Sequence, residues 1–163
     1  MIAIRSAQPD DETAISILLD HAFEGPAEYN LIRALRASGD VAYELVATRA
    51  DELVAHICFS RLEAPVNWLA LAPVSVRPED QGKGIGAELI RYGLDQARQR
   101  KFAAVVVVGG PAYYQRFGFL FPGERKAELS GPYAPQFTGL YPIDPTMAAA
   151  KAALSYPSPF EGA

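Results

Sequence analysis

Hydrophobic positions change their spacing several times along the chain, and each change marks an element. Residues 2–5, "IAIR", read as a short strand, and "QPDDETAISILLDHAF" then sets Pro9, Asp10 and Asp11 ahead of Ile15, Leu18, Leu19 and Phe23. That is a helix-start signal followed by helical periodicity. A second helix fits "AEYNLIRALRAS" and stops at Gly39. "YELVATRA" and "ELVAHICFSRLE" alternate around Asp51 and Glu52 and predict a hairpin. "NWLALAPVSV" is the next strand, with Pro73 inside it. Proline lacks the ladder donor, so it marks an edge, a bulge or a break in pairing.

The stretch "RPEDQGKGIGAELI" leads into a helix running to about Arg100, with Ile85, Leu89, Ile90, Leu94 and Ala97 on one face. "FAAVVVV" is a near-continuous apolar run, as expected of a strand buried on both faces. One helix between two strands predicts a βαβ unit with parallel strands. Seven of the thirteen prolines lie between Pro122 and Pro159, so the last quarter is loop-rich. Within it residues 136–141 read as a strand and 146–154 as a short alanine-rich helix. The class is α/β.

Composition narrows the functional classes. A chain of 163 residues, 50% hydrophobic and 21% charged, suits one soluble domain with a sizeable core. The net charge of -4 argues against nucleic acid as a partner, since phosphate contacts favour a basic surface. A single cysteine, Cys58, rules out an internal disulfide, and two distant histidines, His21 and His56, argue against a metal centre. There is no basic-then-apolar leader and no apolar run of membrane-spanning length, which reads as a cytoplasmic protein with no membrane partner.

The glycine-rich stretch raises the chemistry. Gly82 to Ala87 satisfies the loose dinucleotide pattern G-x-G-x-x-G/A. Five residues, "RPEDQ", nevertheless separate Val76 from Gly82, and no Asp or Glu lies between Gln96 and Gly123 to hold a ribose. A P-loop would need a glycine at Arg77 and a hydroxyl at Gly84, and has neither. What remains is an anion resting on the unpaired amides of a helix start, where glycines leave the backbone open. Close helix–strand packing is the simpler structural account of the same glycines.

Val76-Arg77-Pro78-Glu79-Asp80-Gln81-Gly82-Lys83-Gly84-Ile85-Gly86 matches every defined position of V-x-P-x-x-[QR]-x-x-G-x-[GA], and so resembles the signature of the GNAT superfamily of N-acetyltransferases. The order of elements to about residue 142 is similar too. The resemblance implies a single-domain GNAT-like fold over 1–163, with a mixed central sheet, splayed parallel strands flanked by helices, and a loop-rich extension after 142. It implies acetyl-CoA as co-substrate, with no metal. Its pyrophosphate would lie on Gln81, Gly82, Lys83, Gly84, Ile85, Gly86 and Ala87, and its pantetheine arm against the backbone of Val74, Ser75 and Val76. Gln81 stands where many members have arginine.

"PAYYQRFGF" resembles the family's Y-x-x-x-G-F segment, which places Tyr114 as the acid that protonates the departing CoA thiolate. Tyr113 is the neighbouring alternative. A phenol pKa of about 10 against about 8.5 for a thiol makes full transfer uphill by about 2 kcal/mol, so concerted donation is expected. The family's asparagine after the second splayed strand is missing here. Gly109-Gly110-Pro111 takes its place, leaving that contact absent or made by backbone.

An attacking amine must lose a proton, since at pH 7 only about one lysine-like amine in two thousand is free. Glu28 is the first candidate base; Glu24, Glu63 and His56 are others, and no motif fixes the choice. His56, Cys58 and Ser60 share a strand face, but side chains two apart lie about 7 Å from each other, which favours packing over a Cys–His nucleophile. Arg91, Arg98, Arg100 and Lys101 suit the negative end of the long helix, and one of them could alternatively reach the CoA 3′-phosphate. Two functions stand against each other: direct acetyl transfer to a primary amine of a small molecule or peptide, and a non-catalytic acyl-CoA-binding module. The acceptor cannot be read, and neither can the oligomeric state, although homodimers are common in such families.

Overall fold

The computed structural model describes residues 1–162. They fall into two compact units. The first holds Met1–Ser60, Ala72–Gly93 and residues 158–162; the second holds Arg61–Leu71 and Leu94–Pro157.

In the first unit, β1 (Ala3–Ser6) is followed by a 3-10 turn, Pro9–Asp11, and then by α1 (Glu12–Ala22) and α2 (Ala27–Ser38). A hairpin of β2 (Val41–Arg49) and β3 (Glu52–Arg61) comes next. β1 pairs antiparallel with β2 from Ala3↔Thr48 to Ser6↔Leu45, and β2 pairs antiparallel with β3 down to Arg49↔Glu52. Residues 72–76 of β4 (Trp68–Val76) continue this sheet beside β3, and the Arg77 amide donates to the Val54 carbonyl at 2.9 Å. The helical periodicity is spent on one sheet face: Ile15, Leu18 and Leu19 of α1 and Ile32 of α2 bury themselves on Val46. By strand alternation Tyr43 faces the other side. There its ring stacks on Phe59 at 4.7 Å and its hydroxyl donates to the Gly93 carbonyl at 2.7 Å, within α3 (Ile85–Gln99).

In the second unit, residues 68–71 of β4 run parallel to β5 (Ala104–Val108). The pairing runs from Trp68↔Ala104 to Ala70↔Val106 and stops ahead of Pro73. The apolar run is a strand buried as expected, with Ala104 to Val107 all in the core. After the short helix α4 (Pro111–Tyr114) come β6 (Glu128–Ser130), β7 (Thr138–Pro142) and β8 (Lys151–Ala153). β7 pairs antiparallel with β5. The class is α/β, with a mixed sheet flanked by helices, as expected.

The long helix starts at Ile85, so Gly82 and Gly84 precede it and Gly86 lies inside. Two expectations need correction. The strand expected over 136–141 starts at Thr138, because Pro135–Phe137 forms a 3-10 turn closed by the Phe137 amide on the Ala134 carbonyl at 3.1 Å. The helix expected over 146–154 is a 3-10 turn, Pro145–Ala149, followed by β8. Asp144 caps that turn by accepting from the Thr146 amide at 3.0 Å, and residues 151–153 pair in parallel with β6. A distant strand partner overrides the helix preference of alanine.

Candidate functional site

The glycine stretch lies in the first unit. At the end of β4, Val74 and Val76 are half-buried and Ser75 is buried, with its Oγ hydrogen-bonded to no described residue. The chain then turns through the 3-10 segment Pro78–Asp80. The buried Asp80 carboxylate accepts from Arg77 Nε at 2.7 Å and from Arg49 on the hairpin tip, with Lys83 Nζ 3.5 Å away. The Arg49 hydrogen bond holds the Asp80 carboxyl well below the usual range, at about 2, so it stays charged and grips both ends of the turn. Sequence reading passed over this residue; its spacing of three from both Arg77 and Lys83 was the available signal.

Gln81 turns back on the protein. Its Nε2 donates to the Val76 carbonyl at 3.0 Å, tying the loop to the strand end. Beyond it Gly82 and Gly84 take φ of 78° and 82°, the left-handed region that favours glycine, and a Cβ on either would meet nothing within 4 Å. The Glu88 amide makes the first helical bond, to Gly84 O at 3.1 Å. The amides of Gly84, Ile85, Gly86 and Ala87 therefore have no acceptor within the helix. Ile85 and Ala87 anchor this turn by burying their side chains. A helix start held down on its core side, with open glycines before it, has the geometry and polarity to receive an anion.

The candidate bases separate in the structure. Glu24 is exposed, and Glu63, in the second unit, accepts from Ser155 Oγ at 3.2 Å. His56 is fully buried, with Nε2 2.8 Å from Glu44 Oε1 and Nδ1 unpartnered among the described residues. Cys58 and Ser60 do share its strand face, with Sγ and Oγ 3.7 Å apart, and burial pushes the Cys58 thiol up to about 12. A thiol so far from ionisation is packing rather than nucleophile. Glu28 sits in the first turn of α2, half-buried, and its Oε1 is buried without a hydrogen-bond partner among the described residues.

Tyr114 belongs to the second unit, where it closes α4 just after β5. Its ring meets Tyr113 and Phe119 edge-on, with centroids 5.1 and 5.8 Å away. No described residue hydrogen-bonds its hydroxyl. Burial raises its pKa, and Tyr113 adds to the effect, so the phenol keeps its proton at neutral pH. Tyr113 is the more exposed ring and lies under the Arg116 guanidinium, 5.2 Å from its centroid. A free, protonated hydroxyl on a wedged ring can serve as a proton donor. At the end of the long helix, Arg98 is spent on the Tyr141 hydroxyl and on Asp95 at 3.7 Å.

Among the described residues no group of three or more His, Cys, Asp or Glu side chains could hold a metal ion, and no helix is long and apolar enough to cross a membrane. A family model, Acetyltransferase (GNAT) family, matches residues 10–119. The chain is 36% identical over 120 residues to the uncharacterized N-acetyltransferase YhbS of Escherichia coli K12, covering 71% of this chain and 72% of that one. The crystal structure of E. coli YhbS in complex with CoA superposes with a TM-score of 0.89 at 28% identity, over 98% of this chain and 92% of that one. A GNAT family acetyltransferase from Brucella melitensis in complex with acetyl-CoA gives 0.81 at 30% identity, over 98% of both chains.

Proposed function

Because the chain belongs to the acetyltransferase (GNAT) family, we propose that it transfers an acetyl group from acetyl-CoA directly to a primary amine of a small molecule or peptide in the cytoplasm. The observation that carries this reading is the start of α3, where four amides without helical acceptors stand behind the open glycines 82 and 84.

These residues fit the co-substrate. The amides of Gly82 to Ala87 and the positive end of α3 hold a pyrophosphate, with the exposed cation of Lys83 beside them. Backbone groups of Val74, Ser75 and Val76 hold the pantetheine arm. Gln81 serves indirectly, by fixing the loop to β4. When bound, acetyl-CoA supplies a thioester whose carbonyl carbon is open to attack by a neutral amine. Glu28 takes the proton from that amine on the Oε1 that has no hydrogen-bond partner among the described residues. Tyr114 holds a proton on its hydroxyl and shares it with the thiolate as charge develops there. Burial makes complete transfer from this phenol harder, which favours a proton shared in the transition state.

Thiol release from acetyl-CoA across a panel of amines tests the reading. Turnover on at least one amine class is expected, covering peptide N-termini, lysines, polyamines, aminoglycosides and amino acids. Tight CoA binding with no turnover on any of them would identify a non-catalytic acyl-CoA-binding module instead. The loop has its own test. Gly84→Ala forces a side chain into the left-handed region at a cost of about 1–2 kcal/mol, so CoA binding is expected to weaken by about tenfold in a calorimetric titration. Unchanged affinity would remove the loop from CoA binding.

A further inference from the structure

The turn between β5 and α4 holds glycine where a side chain would be in the way. A Cβ built on Gly109 would lie 2.5 Å from Tyr114 Cε2 and 3.0 Å from Cδ2. Gly110, next to it, would meet nothing within 4 Å. The backbone does not demand glycine at 109, because its φ lies outside the left-handed region. Nor can the turn easily step aside, since the Gly109 amide donates to the Phe137 carbonyl at 2.9 Å. The ring also meets Phe119 and Phe117, with centroids 5.8 and 6.4 Å away.

We infer that Gly109 is a positioning residue for the reaction: its bare Cα is the seat against which the Tyr114 ring lies, and this seat sets where the hydroxyl points. The inference rests on the reading of Tyr114 as the proton donor. An ordinary carbon–carbon separation is about 3.5 Å or more, so a methyl at 109 must displace the ring by about 1 Å. A proton donor misplaced by about that much can cost on the order of 10²-fold in rate.

The experiment compares Gly109→Ala in the wild-type and Tyr114→Phe backgrounds. In the wild type, kcat is expected to fall by about 10²-fold with the KM for acetyl-CoA within about threefold. The alkaline limb of the kcat–pH profile should move to lower pH as the phenol leaves its buried seat. In the Tyr114→Phe background, which has no proton to misplace, the same alanine should cost less than about twofold. Equal losses in both backgrounds, or no loss in the wild type, would overturn the inference while leaving Tyr114 as the donor. A Tyr114→Phe enzyme of full activity would overturn the donor assignment and the inference together. If Gly109→Ala folds poorly, its thermal midpoint is measured with Tyr114→Ala added. The double variant should be no less stable than Tyr114→Ala alone, and a further loss would show that something other than the ring opposes the methyl.

Discussion

Tyr114→Phe is expected to lower kcat by about 10²-fold or more, with the KM for acetyl-CoA changed less than about threefold. The substitution removes one oxygen and leaves the ring contacts to Tyr113, Phe117 and Phe119 in place, so the fold has no reason to suffer. No described residue loses a hydrogen bond with that oxygen. A large effect on rate would therefore belong to chemistry. The sign of the pH dependence follows from the protonation state that acts. The donor must be protonated, and burial raises its pKa above the ordinary value, so the wild-type kcat should hold through neutral pH and decline only on the far alkaline side. That decline should vanish in Tyr114→Phe. Tyr113→Phe is the control. Its ring is exposed and stacked under Arg116, and losing its hydroxyl should change kcat less than about threefold. Equal damage from both substitutions would mean that the aromatic cluster, rather than one hydroxyl, matters to turnover.

What could be read from the sequence follows how local each cause is. The helix over "AEYNLIRALRAS" was legible because its periodicity and its stop at Gly39 lie in one short window, and α2 covers those twelve residues. The βαβ unit was legible for the same reason, since a long apolar run after an amphipathic helix admits few pairings. β8 was not legible. Lys151–Ala153 is a strand only because Glu128–Ser130 lies alongside it, and nothing in "MAAAKAAL" announces that partner. The candidate site divides in the same way. The spacing of the loop and of Tyr114 is fixed by short motifs, whereas Gly109 takes its meaning from where a ring five residues later comes to rest. Alternation put His56, Cys58 and Ser60 on one face, yet the groups that bind His56 into the structure come from β2 and, through it, α1 and α2.

Those groups carry the second large effect: Glu44→Gln is expected to destabilise the protein by about 3 kcal/mol at pH 7, lowering the thermal midpoint by roughly 6–12 °C. Glu44 projects from β2 and accepts two hydrogen bonds from Arg36, from Nε and from Nη2, each 2.8 Å long. His56 Nε2 lies at the same distance from Oε1. Arg36 also binds Glu12, which accepts from the Tyr29 hydroxyl. Burial pushes the Glu44 carboxyl up, but the hydrogen bonds and charges of Arg36 and His56 outweigh it and bring the pKa to about 2. A carboxyl depressed in this way stabilises the fold above its unfolded value, about 4.3, and loses that contribution as pH falls through about 4 toward 2. Asp11, held at about 2 by the Arg5 hydrogen bond, acts in the same direction. The wild-type midpoint should therefore stay level from pH 7 to 5 and fall below about 4.5. The gap between wild type and Glu44→Gln should narrow along the same descent, because protonating Glu44 removes the charge that glutamine already lacks. A gap that stays constant from pH 7 to 2.5 would place the loss in shape and packing. Arg36 would then bind the neutral amide as well as it binds the carboxylate, and the charge of Glu44 would contribute nothing to the fold.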